Sequence, residues 1–142
     1  MTTRTKALMI AAAVIPLLGG VACTKVKARA AFKDGNKLYK EEDYRKALVE
    51  YQKSVDLEPS AEAFFYLGSS HQNLYRPTKT DDAANRAQLD AAVDCYKKAL
   101  ELVQPGNAEQ VKIRTNALGA LTGIYSEPPY QDFERPSATP RT

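Results

Sequence analysis

The sequence is poor in the residues that build metal centres, disulfide scaffolds and nucleic-acid interfaces. It has no Trp, one His and two Cys among 142 residues. Two cysteines are too few for a disulfide framework, and they lack metal-ligand spacing. The net charge is only +3, and residues 33–125 hold 13 basic and 14 acidic side chains. A nucleic-acid partner is not expected, because such proteins carry a clustered basic face.

Long apolar runs are also missing. The longest, Ala7 to Leu18, has 12 residues, whereas a helix that crosses a bilayer needs about 20. Arg4 and Lys6 precede this run, and two glycines follow it. A positive start, a short apolar segment and then small residues are typical of an export signal. We therefore predict a signal peptide over residues 1–22.

The end of this signal, Gly20-Val21-Ala22-Cys23, resembles the lipobox of bacterial lipoproteins, with Gly20 in place of the usual Leu. The resemblance implies that Cys23 is the lipid attachment site and the first residue of the mature chain. Residues 23–29 then form a flexible, lipid-anchored tether. Two or three acyl chains give stable anchoring, because each buried methylene contributes about 0.8 kcal/mol.

The sequence leaves other ways of processing the N-terminal segment open. An ordinary signal peptidase would cut after Ala22 or after Ala30 and release a soluble periplasmic protein. An uncleaved anchor, or a buried Cys23 thiol, is a further alternative. If lipidation occurs, Thr24 after the cysteine favours the outer over the inner membrane, by resemblance to proteobacterial lipoproteins.

The middle of the chain has a helical period. Between residues 30 and 59, apolar residues recur every three or four positions in two short segments joined by the polar turn 41–43. This spacing predicts two amphipathic helices, the second capped by Asp43 and stopped by Pro59. The two helices form a hairpin that cannot bury its apolar face alone.

This hairpin resembles a tetratricopeptide repeat (TPR). The residues that carry the resemblance are Gly35, Tyr39, Tyr44, Ala47, Tyr51 and Pro59, while Ser54 and Glu42 replace a usual alanine and a usual glycine. Residues 60–105 resemble a second repeat, matched at Phe64, Leu67, Gly68, Ala92, Tyr96 and Ala99, with Pro105 one place later than the closing proline of the motif. Gly35 and Gly68 are 33 residues apart, close to the TPR period of 34.

The second repeat is interrupted by an insertion, residues 75–88. We predict a short loop at 75–80, followed by a helix that starts early and runs long. Asn107 caps a fifth helix, over residues 106–125, which is either a capping helix or a partial third repeat. Residues 126–142 hold four of the eight prolines and are predicted to be a disordered tail. The predicted fold is all-α, with two helix-turn-helix repeats and a C-terminal capping helix.

No catalytic or metal-binding residues are predicted, and no cofactor. Ser70 and His71 are neighbours on a helix and point about 100° apart, so they do not pair as nucleophile and base. His71 is expected to be packed or half-buried. Cys95 is expected to be a lone thiol shielded by helix packing.

The TPR resemblance implies a concave groove, lined by the first helix of each repeat, that holds a peptide or a partner helix. The matching residues are Phe32, Asn36, Tyr39, Lys40, Phe65, Ser69, Gln72 and Asn73. Phe32 and Tyr39 have an alternative role as core residues. Phe32 also occupies the place of a lysine that some TPR proteins use to clamp carboxylates.

The sequence thus predicts an exported, membrane-anchored TPR lipoprotein that acts as a protein–protein interaction adaptor in the bacterial cell envelope. Its expected partner is an envelope protein or peptide, with membrane contact through the N-terminal lipid. Two repeats and a cap bury little surface, so either self-association into a homo-oligomer or a bound partner would add burial. The alternatives are a pilotin-like assembly factor of an envelope machine and a thiol-dependent redox protein that uses Cys95.

Overall fold

The computed structural model describes residues 15–79, 82–127 and 130. Within these ranges the chain folds into five helices and contains no strand, so the predicted all-α class is confirmed. The helices are α1 (Ile15–Lys40), α2 (Tyr44–Leu57), α3 (Ala61–Leu74), α4 (Ala83–Leu102) and α5 (Ala108–Ser126). The first 14 residues of the predicted signal and most of the predicted tail lie outside the described residues.

Short polar side chains start four of the helices. Asp43 accepts a hydrogen bond from the backbone nitrogen of Lys46, and Asn107 accepts one from Glu109, as predicted. Ser60 and Asp82 cap α3 and α4 in the same way. These caps satisfy backbone N–H groups that have no partner inside the helix. The connections from α1 to α2, from α2 to α3 and from α3 to α4 each end in one of these caps. They fold successive helices back on one another.

Two glycines set the spacing inside the helix pairs. A Cβ atom at Gly35 would lie 2.8 Å from the ring of Tyr51, and one at Gly68 would lie 3.2 Å from the ring of Tyr96. The first helix of each pair therefore approaches a tyrosine on the second. The pairs α1–α2 and α3–α4 repeat this packing, which is consistent with a short repeat array.

The interior consists of two apolar clusters. One spans α2, α3 and Cys95 of α4, and the other lies between α4 and α5. Tyr51 and Tyr96 are almost wholly buried, one in each cluster. Ser54 is also buried and donates a hydrogen bond to the carbonyl oxygen of Ala28, 3.0 Å away. The hydroxyl is satisfied, so a polar side chain is tolerated in the core.

The start of α1 differs from the prediction of a flexible tether over residues 23–29. That whole segment is helical, Ala28 is buried, and Lys25 pairs with Glu58 at 3.5 Å. The packed body therefore begins before residue 30, because α2 is long enough to reach the earlier turns of α1. Among the described residues, no helix combines the length and apolar character needed to cross a membrane.

The loop between α3 and α4 is shorter than the predicted insertion of residues 75–88. The connection ends at Asp82 and α4 begins at Ala83, so the early start of this helix is confirmed. Asn85 organises the loop: its side-chain oxygen accepts from the nitrogen of Arg76, and its side-chain nitrogen donates to the carbonyl oxygens of Arg76 and Lys79. These three bonds explain why a polar residue is buried there.

The helix α5 covers the last apolar face of α4 and continues to Ser126. Beyond it, Tyr130 packs its ring on Tyr125 and donates a hydrogen bond to Asp90. The prediction of disorder from residue 126 is therefore wrong at this position, because Tyr130 finds both apolar and polar partners. At Gly119 on α5, a Cβ would meet no described atom within 4 Å apart from its chain neighbours and the backbone of its own helix.

Candidate functional site

The first helices of the two pairs, α1 and α3, carry the eight predicted groove residues. Lys40 and Asn73 are exposed, and the other six are half-buried. Each half-buried side chain is shared between the surface and the core. Phe32 and Tyr39 accordingly pack against the α2–α3 cluster and still present part of their rings to solvent.

Three of these residues form a hydrogen-bonded group that joins α1 to α3. The Tyr39 hydroxyl and Ser69 Oγ lie 2.7 Å apart. Asn73 Nδ2 donates to the Tyr39 hydroxyl at 3.1 Å and to the Ser69 carbonyl oxygen at 2.8 Å. The group fixes the Tyr39 ring across the boundary between the helix pairs and uses a polar atom of each of the three side chains.

Two amides on the surface are held by buried tyrosines. The hydroxyl of Tyr51 donates to Asn36 Oδ1 at 2.8 Å, and that of Tyr96 donates to Gln72 Oε1 at 2.7 Å. Burial raises the pKa of both tyrosines, so the hydroxyls stay protonated and act as donors. Neither amide nitrogen has a hydrogen-bond partner among the described residues. Each is left oriented, with its two N–H groups available to an acceptor.

Tyr66 is a central residue of the surface that the sequence analysis did not select. Its ring stacks on Tyr51 at 5.7 Å and meets the edges of Phe32, Tyr39 and Phe65 at 5.3–5.9 Å. Burial also raises its pKa. The aromatic run Phe64-Phe65-Tyr66 indicated a packed cluster in this part of the sequence. Only the ring contacts show that Tyr66 joins both helix pairs.

The side chains of residues 69–71 do not form a catalytic group. Ser70 Oγ donates to the carbonyl oxygen of Tyr66, and Nδ1 of the half-buried His71 lies 2.8 Å from Gln88 Oε1. Ser70 and His71 are therefore hydrogen-bonded to different partners and not to each other. The described residues also contain no group of three or more His, Cys, Asp or Glu side chains placed to hold a metal ion.

The two cysteines have opposite surroundings. Cys23 is exposed on α1, whereas Cys95 is buried between α3 and α4, as the sequence predicts. Burial raises the pKa of the Cys95 thiol to about 11, so it is protonated at neutral pH. A thiol in that state is a poor nucleophile, and the surroundings of Cys95 do not favour a redox role.

No protein-family model matches the chain, and the search of curated proteins found no match. The geometry of the α1–α3 surface is thus the main guide to function.

Proposed function

We propose that the protein is an exported, lipid-anchored adaptor of the TPR type that holds a partner protein at the periplasmic face of a bacterial membrane. The observation that carries the proposal is the α1–α3 surface. It combines half-buried aromatic rings with the two tyrosine-held amides of Asn36 and Gln72. The TPR resemblance supports the same use of this surface.

An extended peptide matches the chemistry of this surface. The oriented amide nitrogens of Asn36 and Gln72 donate to its backbone carbonyl oxygens, at no cost in side-chain ordering because the tyrosines already fix them. Apolar side chains of the peptide pack on Phe32, Tyr66 and Phe65. Lys40, exposed at the end of α1, attracts a carboxylate of the peptide.

The anchor is the second part of the proposal. Cys23 is exposed and is preceded by small residues, which suits both acylation and cleavage before it. Diacylglycerol and a third acyl chain on this residue would hold the protein at a membrane surface. The adaptor then raises the local concentration of its partner there, which is how a tethered binding site increases capture.

Photo-cross-linking tests the binding surface. A photoreactive phenylalanine analogue replaces Lys40 on α1 or Asn73 on α3, both exposed, and Arg86, exposed on α4, is the matched control. We expect Lys40 and Asn73 to label the same envelope protein in cells and Arg86 to leave it unlabelled. Asn36→Ala in the same chain should reduce both cross-links. Labelling that is equal from all three positions contradicts the proposed surface.

An intact mass tests the anchor independently. The protein is extracted from membranes of a bacterial host beside a Cys23→Ser control. We expect the mass of residues 23–142 plus acyl chains for the wild type and an unprocessed, unacylated chain for the control. A mass that corresponds to an unmodified chain starting at Cys23 or Ala31 would contradict the anchor. The protein would then be a soluble periplasmic adaptor.

A further inference from the structure

A second surface lies on the side of α1 that faces away from α3. There α1 and α2 form a groove of about 850 Å³, and all of its lining residues belong to these two helices. The apolar part of the lining comes from Ala30 and Ala31 on α1 and from Leu48, Val49 and Leu57 on α2. Leu48 and Leu57 are only half-buried, so the described part of the chain leaves this lining uncovered.

Cys23 lies on the same side of α1 as this groove. Successive residues of an α-helix are about 100° apart, so positions four, seven and eleven residues later fall within about 40° of the first. Counted from Cys23, these positions are Lys27, Ala30 and Asp34, and all three line the groove. An acyl chain on Cys23 would therefore leave the protein at one end of the same face.

Exposed apolar side chains lie on both helices of this face. Val26 and Val49 are 68% and 62% exposed, the highest values among the large apolar residues described. Val26 is about 60° from Cys23 around the axis of α1, and Val49 lines the groove on α2. Exposed apolar residues that a folded protein leaves together mark a contact surface.

The charge of α1 indicates an anionic partner. Residues 25–40 carry six cations and one acid, whereas residues 41–125 hold 10 basic and 13 acidic side chains. Three of the cations, Lys27, Lys33 and Lys37, are exposed and have no ion-pair partner among the described residues. The positive charge of the protein is thus concentrated on the helix that carries Cys23.

The groove itself narrows the class of anionic partner. Asp34 and Asp56 line it together with Lys27 and Lys53, so its own charges cancel. A polyanion without an apolar part, such as a nucleic acid, would meet these acids and leave Val49 uncovered. A lipid bilayer offers anionic head groups to the lysines of α1 and hydrocarbon to the exposed valines.

We propose that this face of α1 and α2 lies on an anionic lipid bilayer, with α1 parallel to the membrane plane. The choice of a bilayer rests on the proposed lipid attachment at Cys23, which brings this face to the membrane because no flexible linker follows the cysteine. Asn36 is about 160° from Asp34 around α1. Its amide, which the proposed adaptor offers to a peptide, therefore points away from the lipid.

A dye on a single cysteine tests this orientation. In the full chain, Cys23→Ser and Cys95→Ala remove the native thiols, and Val49→Cys carries an environment-sensitive dye. The vesicles contain equal parts of phosphatidylglycerol and phosphatidylcholine, with or without a lipid that bears a quencher on its acyl chain. We expect the dye at position 49 to brighten on binding and to be quenched by the labelled lipid.

The matched control is Val111→Cys in the same background, since Val111 is a valine on α5 that is 54% exposed. The dye at position 111 should neither brighten nor be quenched. Both chains should keep the helical circular dichroism of the wild type. Both also share the apolar segment 7–18, so its own affinity for lipid does not distinguish them.

Neutral substitutions test the contribution of the cations. Lys27→Gln with Lys37→Gln should raise the lipid concentration for half of the response at position 49 at least about tenfold. The reason is that each lysine beside an anionic surface strengthens binding about fivefold. Arg86→Gln with Arg114→Gln, two exposed cations of α4 and α5, is the matched control and should leave this concentration unchanged.

Three results would overturn the proposal. The first is a dye at position 49 that the labelled lipid does not quench, which would leave the groove to a second copy or a peptide. The second is equal quenching at positions 49 and 111. The third is an equal response to vesicles of phosphatidylcholine alone.

This test is separate from that of the proposed anchor. Cys23 is replaced in every chain used here, so a failure to contact lipid would not count against acylation of Cys23. An intact mass without acyl chains would in turn remove the anchor, while quenching at position 49 would still show that this face contacts lipid.

Discussion

The Tyr51 hydroxyl lies 2.8 Å from Asn36 Oδ1, and the ring of the same tyrosine fills the space beside Gly35. One buried side chain thus closes the α1–α2 pair and orients an amide on the surface of α1. The second pair has a parallel arrangement, in which Tyr96 lies beside Gly68 and donates to Gln72. Packing and the candidate binding surface are linked through these tyrosines.

Removal of the Tyr51 hydroxyl should therefore lower the stability of the folded protein. Tyr51→Phe keeps the ring but loses the bond to Asn36, so we expect the free energy of unfolding to fall by about 1 kcal/mol. Urea unfolding followed by circular dichroism measures this. Tyr75→Phe is the control, because the buried Tyr75 hydroxyl has no hydrogen-bond partner among the described residues. That variant should be unchanged or slightly more stable, and an equal loss in both would contradict the assignment.

Gly35 in α1, Gly68 in α3 and Gly119 in α5 should respond differently to alanine. Gly35→Ala places a methyl group against the Tyr51 ring at 2.8 Å, so we expect a loss of about 1–3 kcal/mol from overpacking. Gly119→Ala meets no described atom and should gain about 0.5–1 kcal/mol from helix propensity. Thermal unfolding of the two variants, with Gly68→Ala expected to follow Gly35→Ala, checks the order. A gain at Gly35 would show that Tyr51 moves aside freely.

Asn85 should control the connection before α4. Asn85→Ala removes three hydrogen bonds to residues 76 and 79, and we expect a loss of about 2–3 kcal/mol. The loop should also become more sensitive to limited proteolysis between residues 75 and 82. Asn116→Ala, at an exposed position of α5, is the matched control and should change neither. If the two variants are cleaved at the same rate, Asn85 does not organise the loop.

Cys95 should make stability depend on pH in the alkaline range. Its pKa rises from an ordinary 9.0 to about 11 in the folded state because of burial. The unfolded chain therefore loses its proton first, and the free energy of unfolding should decrease as pH rises from about 9 to about 11. The stabilisation is fully present below this window. Urea unfolding at several pH values measures the slope.

Cys95→Ala isolates this effect, because the buried tyrosines contribute to alkaline unfolding in both proteins. The variant should show a smaller decrease than the wild type over the same window. Identical slopes would mean that the thiol titrates normally. Consistent with a protonated Cys95, thiol reagents should modify it at neutral pH only after unfolding.

The fold was largely predictable because its signals are local. Asp43 and Asn107 marked helix starts, and the small and large residues of the two hairpins marked which faces meet. The bond from Ser54 to Ala28 was not predictable, since it depends on how far α2 extends along α1. The role of Tyr66 was missed for the same reason: its four ring contacts involve residues up to 34 positions away. The grouping of the groove residues stays a prediction, although Tyr39 contacts Ser69 and Asn73. The sequence does not show that Asn36 and Gln72 are hydrogen-bonded to buried tyrosines.

The Ser54–Ala28 hydrogen bond also limits how far the body can stand from a bilayer. Ala28 is fixed to α2, and Cys23 lies only five positions before it in the same continuous helix. At 1.5 Å per residue, this helical segment is about 7.5 Å long. It is much shorter than the distance that a disordered linker would span. A chain acylated at Cys23 would therefore have no flexible linker. Its orientation would be set by the direction of α1, and Asn36 would lie about 20 Å along that helix from the anchor.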